Sequence, residues 1–339
     1  QRQGVVDGQG DHGGLVLQRV EYQPWRVVHR HAQQAAVQAA LGHGLGDFGG
    51  VGFANVQHQT GVARAAFAQR GINYGVGWVG EYWNVAKGGN SQGSNFDGRF
   101  DVHTDIDLEK LLGWKGATVH ANAFYIHGLG ASTERVGNIF AVSNIEGYET
   151  FRLDELWLEQ SLLDDKLKVK VGSIAADTEF FISDTASQFL NGTFGWPGII
   201  AADQTVGGPG YPLASLGVRV QYAPNDKLNI LAAVFNGSPA NPRSDNSQKD
   251  NNHGVSFRLQ DAPLLMVEAQ YKYDVGLPGT FKFGGWKQFN HYAPKFLDPS
   301  VLDTSSGIYG IIDQQILSLI HISEPTRLLS ISYAVFCLK

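Results

Sequence analysis

Residues 265–274 read LMVEAQYKYD, and every second side chain in this stretch is apolar or aromatic. Leu265, Val267 and Tyr271 fall on one side of an extended chain, whereas Glu268 and Lys272 fall on the other. An alternation with period two is typical of a β-strand whose two faces meet different surroundings. The stretch therefore predicts a strand, and it raises the question of what each of its faces contacts.

The same period recurs through most of the chain from residue 72 to residue 316. It predicts about eleven strands, at residues 72–78, 99–108, 119–125, 155–159, 167–171, 216–222, 227–236, 255–259, 265–274, 281–289 and 307–316. The connections alternate in length: tight turns at 164–165, 224–226 and 261–263, and long Gly-, Asn- and Ser-rich loops at 88–98, 128–147 and 237–252. Short turns at one end and long loops at the other are typical of an outer-membrane barrel.

The composition excludes several classes of protein. The chain has 339 residues, 42 of them Gly, with 17% charged and 11% aromatic residues and a formal net charge of −6. A nucleic-acid binder should carry a basic face, which the net negative charge argues against. No window offers the roughly 18 apolar residues of a membrane-spanning helix. A single Cys excludes a disulfide framework and a cysteine-built zinc site.

The polar faces separate two readings of the β pattern. On these faces, charged residues of one sign follow each other along a strand and do not alternate in sign. Aromatic residues stand near the strand ends, as in the girdle at a membrane interface: Trp78, Tyr82, Tyr125, Tyr222, Tyr271 and Tyr273. The alternative is a soluble or surface-attached β-barrel that binds carbohydrate in the manner of a lectin. In that case the apolar stripes would form a closed core, whereas a membrane wall would turn them outward: Val119, Ala121, Ala123, Leu167, Val169, Val218 and Val220.

Both ends of the chain differ from the middle. Residues 1–59 contain no Lys, Ser, Thr, Ile, Met or Cys and show no signal-peptide pattern, so we interpret them as a doubtful segment of frame-shifted translation. Residues 317–339 include LSLIHISEPTR and ISYAVFCLK, which read as translated sequencing adapter. The sequence thus predicts one informative domain, residues 60–316, truncated at its C-terminal side.

A long segment between Ile174 and Leu216 lacks strand alternation but is rich in aromatic residues, which predicts a loop packed into a lumen. Its flanks and core read FRLDELWLEQSLLDDKLKVKVGSIAADTEFFISD (151–184), FLNGTFGWP (189–197) and GPGYPLASLGVRVQY (208–222). Together with RAAFAQRGINYGVGWVGEYWNV (64–85), these motifs resemble the carbohydrate-selective porins of Gram-negative outer membranes, the OprB-type family.

The resemblance implies an all-β fold, an antiparallel transmembrane β-barrel of about sixteen strands of which about eleven are present here. It implies a Gram-negative outer-membrane location, contact with membrane lipid, and passive diffusion of glucose-like monosaccharides through a constricted, water-filled channel. No cofactor, nucleic acid or catalysis is expected. Porins of the general type are often trimers, which leaves a homo-oligomer open.

A sugar-selective constriction needs groups that bond hydroxyls and aromatic faces that support a pyranose ring. The candidates in the loop are Asp177, Glu179, Asp184, Asn191, Trp196 and Asp203. The candidates on the barrel wall are Arg99, Asp101, Asp105, Glu155, Trp157, Glu159, Lys168, Lys170 and Arg219.

The carboxylates also raise an enzymatic reading, which spacing disfavours. Glu155 and Glu159 on one strand would have Cα atoms about 13 Å apart at a rise of about 3.3 Å per residue, beyond the separation of glycosidase carboxyl pairs. Asp101, His103 and Asp105 share a face and could offer ligands to a divalent cation, although such a row is more often a solvated lumen face. We therefore expect neither an enzyme nor a metal site.

Overall fold

The computed structural model describes residues 53–55, 61–292, 302–316 and 336–338, and its side chains at 64–289 and 305–316. Twelve antiparallel strands form one sheet in which every strand pairs with its neighbours in sequence. Their bounds are β1 Phe53–Asn55, β2 Ile72–Val85, β3 Gly93–Asp107, β4 Ala117–Gly128, β5 Thr150–Leu162, β6 Leu167–Ile174, β7 Ser215–Tyr222, β8 Leu228–Asn236, β9 Pro263–Asp274, β10 Pro278–Tyr292, β11 Leu302–Gln314 and β12 Phe336–Leu338. The fold is all-β, as predicted.

Helices are short and stand outside the sheet, at Gly61–Gln69, Leu108–Leu112, Gly198–Asp203 and Ser247–Asp250. The turn Leu108–Leu112 forms because the Asp107 carboxylate accepts hydrogen bonds from the Glu109 and Lys110 amides, and it ends where Gly113 takes a left-handed conformation. None of the helices in the described ranges is long and apolar enough to cross a membrane.

The connections alternate in length along the chain. Those at 163–166, 223–227 and 275–277 are short, whereas those at 129–149, 175–214 and 237–262 are long. In the β5–β6 turn, Asp164 and Asp165 take positive φ, a conformation that Asp tolerates better than most residues. Since neighbouring strands are antiparallel, all short turns lie at one end of the sheet and all long loops at the other.

Ten of the eleven predicted strands are confirmed as β2 to β11. The predicted strand at 255–259 is wrong, since this part of the chain lies within the long β8–β9 connection. The predicted tight turn at 261–263 is wrong as well, because 261–262 end that loop and Pro263 begins β9. The alternation of Val255, Phe257 and Leu259 is real, but none of the strands that the structure describes pairs with it. Of the two doubtful terminal segments, the structure describes only residues 53–55 and 336–338.

The two faces of the sheet have the opposite exposure to that of a soluble sheet, whose apolar face is buried and whose polar face is open to water. The apolar face of the wall is the exposed one, with large side chains open to the surroundings from β2 to β11, among them Tyr82, Phe100, Val102, Tyr125, Val171, Val218, Val220, Tyr222, Val234, Val267, Tyr271, Phe283 and Ile308. The opposite face carries buried polar residues, among them Glu81, Asp97, His120, Asn122, Lys170, Arg219, Glu268 and Lys282. None of the stripe residues that a lectin-like core would require is buried.

The buried apolar cluster lies on the same side as these polar residues. Phe180, Phe181 and Ile200 of the long β6–β7 connection pack on inward residues of the neighbouring wall: Leu231, Ala233, Phe235, Leu264, Met266, Trp286, Tyr309 and Ile311. The core of this protein is therefore the contact between the wall and a segment folded against its inner face.

Candidate channel constriction

The β6–β7 connection, residues 175–214, is hereafter the inner loop. It leaves the wall after Ile174 and rejoins it at Ser215, and these two residues are paired across β6 and β7. The Ala176 amide donates to the Pro209 carbonyl at 2.6 Å, which closes the base of the loop. Short helical turns at Ala176–Thr178, Ala186–Gln188 and Gly192–Phe194 satisfy much of its backbone internally.

Glu179 joins the inner loop to the wall through two basic side chains. Lys170 on β6 donates to Glu179 Oε1, and Arg219 Nε on β7 donates to Glu179 Oε2 at 2.8 Å. Arg219 Nη2 also donates to Glu159 Oε2 at 2.6 Å. Lys170 and Arg219 are directly opposite in the β6–β7 register, so the wall presents a pair of cations to one carboxylate. Breaking a buried pair of this kind leaves an uncompensated charge.

Trp157 on β5 is enclosed between two neighbouring strands. The His120 ring on β4 stacks on the indole, with centroids 4.8 Å apart and planes 13° from parallel. Lys170 Nζ lies 4.2 Å from the indole centroid. Because β4 and β6 flank β5 on opposite sides, these two groups reach the ring from opposite directions. Asp105 Oδ1, 2.6 Å from His120 Nδ1, holds the imidazole in place.

A β-bulge brings two successive carboxylates to the inner face. The β4–β5 register shifts between Asn122 and Ala123, so that Asp154 is the additional residue and both Asp154 and Glu155 are buried. Glu155 Oε1 accepts from the Ala175 amide and the Thr178 hydroxyl, both at 3.2 Å. Glu155 therefore fixes the start of the inner loop.

Arg99 on β3 belongs to a second group at the long-loop end of the wall. Its guanidinium carbon lies 4.6 Å from the Phe124 ring centroid and 5.3 Å from that of Tyr211. The Tyr211 amide donates to Asp177 Oδ2 at 3.1 Å, and Asp177 Oδ1 is buried with no hydrogen-bond partner among the described residues. Burial is the largest influence on Asp177 and raises the pKa of its carboxyl group to about 6.

An aromatic contact holds the middle of the inner loop. Phe181 stacks on Tyr309 of β11 with ring centroids 3.7 Å apart and meets Trp196 edge to face at 5.8 Å. Glu268 Oε2 accepts from the Tyr309 hydroxyl at 2.6 Å and from the Phe181 amide at 3.2 Å. Trp196 is tied down as well, since its Nε1 donates to the Gly207 carbonyl at 2.9 Å.

The remaining predicted residues are more dispersed. Asp101 accepts from Asn122 Nδ2 and lies 3.2 Å from His103 Nδ1. Asp203 is buried and accepts from the Ser305 hydroxyl, and Asn191 caps the turn at Gly192–Phe194. Lys168 is partly exposed one pleat from Lys170, and Asp184 is exposed.

The structure therefore brings six of the predicted residues into one connected group: Asp105, Trp157, Glu159, Lys170, Glu179 and Arg219. Sequence reasoning missed His120, Asp154, Tyr211 and Glu268. His120 and Glu268 lie on the polar faces of predicted strands, and this position could have placed them among the candidate site residues. Within the described residues, no group of three or more His, Cys, Asp or Glu side chains is arranged to hold a metal ion.

Comparisons with known proteins agree with this architecture. A sequence profile described as "Carbohydrate-selective porin, OprB family" matches residues 91–318. The chain is 26% identical over 257 residues to Porin B of Pseudomonas aeruginosa, an alignment that covers 71% of this chain and 51% of that protein. The chain thus spans about half the length of this curated relative. The high-pH structure of Pseudomonas putida OprB aligns with a TM-score of 0.60 at 21% identity, over 76% of this chain and 64% of that one, which shows a shared fold.

Proposed function

The chain belongs to the OprB family of carbohydrate-selective porins, and from that premise we propose that it forms the wall and constriction of a Gram-negative outer-membrane channel for sugars. Transport is passive diffusion of glucose-like monosaccharides, without a cofactor or a chemical step. Membership of a porin family implies a channel and not an enzyme.

The observation that carries the proposal is the inverted exposure of the wall. Large apolar side chains are open on the outer face, and charged side chains are enclosed on the inner face under the inner loop. This arrangement suits lipid outside and a polar passage inside. The lectin-like alternative is not favoured, because the stripes that it would bury are not buried.

The inner loop supplies the constriction in this proposal. Its position depends on Glu179, which the cation pair Lys170 and Arg219 holds against the wall. Trp157 has both ring faces occupied, so we assign it the support of Lys170 and not the stacking of a sugar ring. The polar groups left partly or fully exposed near the loop are the proposed hydroxyl partners: Asp101, Asp105, Glu159, Lys168, Asp184 and Asn191.

Such contacts must be weak, because conduction requires that each sugar leave as readily as it enters. A row of separate charged and amide groups, several of them already bonded to a protein neighbour, satisfies this requirement better than a deep pocket. Asp105 and Glu159 are examples, since each accepts from a basic or imidazole group and keeps part of its surface open. A homo-oligomer stays a prediction.

The direct test is ion current through the chain in a planar bilayer, with glucose added as a blocker. We expect the current to fall as glucose rises, with half-block at millimolar or higher concentration, as weak binding requires. Lys168→Met should weaken the block. Lys166→Met, in the neighbouring tight turn, is the matched control. A current that glucose leaves unchanged would contradict sugar selectivity.

A further inference from the structure

Residues 255–259 have the alternation of a wall strand, but they pair with none of the twelve described strands. This segment lies within the β8–β9 connection, and its three apolar side chains are open to the surroundings: Val255 by 57%, Phe257 by 49% and Leu259 by 78%. Ser256 is exposed as well, so the alternation is one of polarity and not of exposure. Loop residues facing water are ordinarily polar, so three large apolar side chains at alternate positions require a different explanation.

Backbone contacts place the start of this segment at the wall. The Leu153 amide on β5 donates to the His253 carbonyl at 3.0 Å, and His253 Nδ1 lies 3.1 Å from the Phe151 carbonyl. Gly254 has positive φ and packs so closely on the Leu153 backbone that a Cβ would collide with it. The segment thus begins in contact with the long-loop end of β5.

β6 does not extend far enough to pair with this end of β5. The β5–β6 pairing begins at Leu156 and Ser173, so Leu153 lies beyond the part of β5 that β6 reaches. β6 ends at Ile174 because the inner loop turns inward there. Residue 253 therefore takes the hydrogen-bonding position that a longer β6 would have occupied.

Polar groups of the segment are paired with nearby residues of the same loop and of β8. Arg258 donates to both carboxylate oxygens of Asp261, at 2.6 and 2.7 Å, and Asp261 also accepts from Asn236. The Ser256 amide donates to Asn251 Oδ1 at 3.0 Å. A neutralised charge and a satisfied amide lower the cost of approaching an apolar medium.

The segment also completes a pattern of the outer face. At the long-loop end, β2 to β5 present exposed aromatic residues: Tyr82, Phe96, Tyr125 and Phe151. At the same end of β7 to β9 the outward residues are aliphatic: Leu216, Val234 and Leu265. Phe257, four residues beyond the contact of His253 with β5, adds an exposed aromatic ring at this end of the wall. Aromatic side chains are enriched at the membrane–water interface.

We propose that Val255, Phe257 and Leu259 contact membrane lipid and anchor the β8–β9 loop at the interface on the long-loop side of the wall. The proposal rests on the proposed function, since it needs the wall to stand in a membrane. The segment has few backbone hydrogen bonds, so it belongs at the depth of the headgroup–acyl boundary and not in the hydrocarbon centre. The loop thereby acts as a fixed piece of the wall above β6 and β7.

The test uses single-cysteine variants of the full chain, with Cys337→Ser removing the native thiol. Val255→Cys, Phe257→Cys and Leu259→Cys are compared with Ser256→Cys and Gln260→Cys, each carrying a fluorophore and reconstituted in phosphatidylcholine vesicles. Quenching by a lipid with a shallow nitroxide group is measured against quenching by aqueous iodide. We expect the lipid-to-iodide ratio to alternate along the segment and to be several-fold higher at the three apolar positions.

Val234→Cys on the exposed face of β8 is the reference for lipid contact. If it is quenched by lipid while the three segment positions respond only to iodide, the anchor is overturned and the membrane wall stands. If Val234→Cys is itself quenched only by iodide, the wall does not stand in the membrane, and both the proposed function and the proposed anchor are overturned. Equal ratios at odd and even positions would also overturn the anchor, because the alternation is its basis.

Discussion

Glu179 and Arg219 are joined by a 2.8 Å hydrogen bond between a loop carboxylate and a wall guanidinium, both of them buried. The same carboxylate bonds to Lys170, so two cations of the wall share one anion of the inner loop. The loop can leave the wall only by exposing or stranding these charges.

Glu179→Gln should therefore loosen the inner loop. The neutral amide leaves Lys170 without its bonded carboxylate and Arg219 with Glu159 alone, and breaking a buried pair costs on the order of 3 kcal/mol or more. We expect a larger single-channel conductance and faster proteolysis within residues 175–214. Asp226→Asn, an exposed carboxylate in the β7–β8 turn, should change neither; equal effects from both variants would contradict the anchoring role.

Asp177 should make the stability of the chain pH-dependent. Burial raises the pKa of Asp177 to about 6, above the value of 3.8 that applies in the unfolded chain. The folded state therefore binds the proton more tightly, and this stabilisation is complete below pH of about 4 and is lost as the pH rises through about 6. Between pH 5 and pH 7.5 the loss should be about 1 kcal/mol.

The Asp177→Asn variant isolates this effect, because an amide oxygen can still accept from the Tyr211 amide. Denaturant midpoints at pH 5 and pH 7.5 should differ less in the variant than in the parent. Asp164→Asn, in the β5–β6 turn, is the control and should keep the parent difference. An unchanged pH dependence in Asp177→Asn would show that the carboxyl group does not titrate in this range.

Gly172 on β6 should tolerate no side chain. It has φ of +144°, and a Cβ there would lie 2.6 Å from Trp157 Cα and closer still to the Leu156 carbonyl. Gly172→Ala should cost about 2 kcal/mol or more, since it forces β5 and β6 apart at the Trp157 position. Gly77→Ala meets nothing within 4 Å and should be near neutral; chemical denaturation of both variants checks the difference.

Val218 tests the surroundings of the outer face. It is exposed between two other exposed valines, Val171 on β6 and Val234 on β8, which are its direct register partners. Val218→Lys should impair membrane insertion by about 2–4 kcal/mol if this row faces the bilayer centre. Gln221→Lys on the inner face should be tolerated. Equal insertion of both variants would argue that the outer face meets water.

The strand pattern could be predicted because period two is a local property of the chain. The bulge in β5 could not, since it depends on how β5 registers with β4, and Asp154 was missed for that reason. The role of His120 depends on Trp157 from β5 and, beyond it, Lys170 from β6, a relationship that appears only once β4, β5 and β6 are side by side.

Residues 255–259 show the converse limit. Alternating apolar and polar residues indicate that the two sides of an extended segment meet different surroundings. They do not show whether a neighbouring strand forms hydrogen bonds with it, so the pattern predicted a strand where the chain has none. The inner loop was predicted from its aromatic content, and the predicted charges Lys170, Glu179 and Arg219 do meet. Which side chains anchor the loop and which remain open depended on three-dimensional contacts.

The inner loop begins and ends at Ile174 and Ser215, two residues that already face each other across β6 and β7. A tight turn could join the same two positions and leave every register of the sheet as it is. In the proposed channel, the order and pairing of the wall strands are therefore independent of the segment that narrows the passage, whereas Lys170, Arg219 and the buried aromatic cluster need that segment as a cover. A different inner loop that keeps these contacts could therefore change the width of the proposed channel while the strands of the wall stay the same.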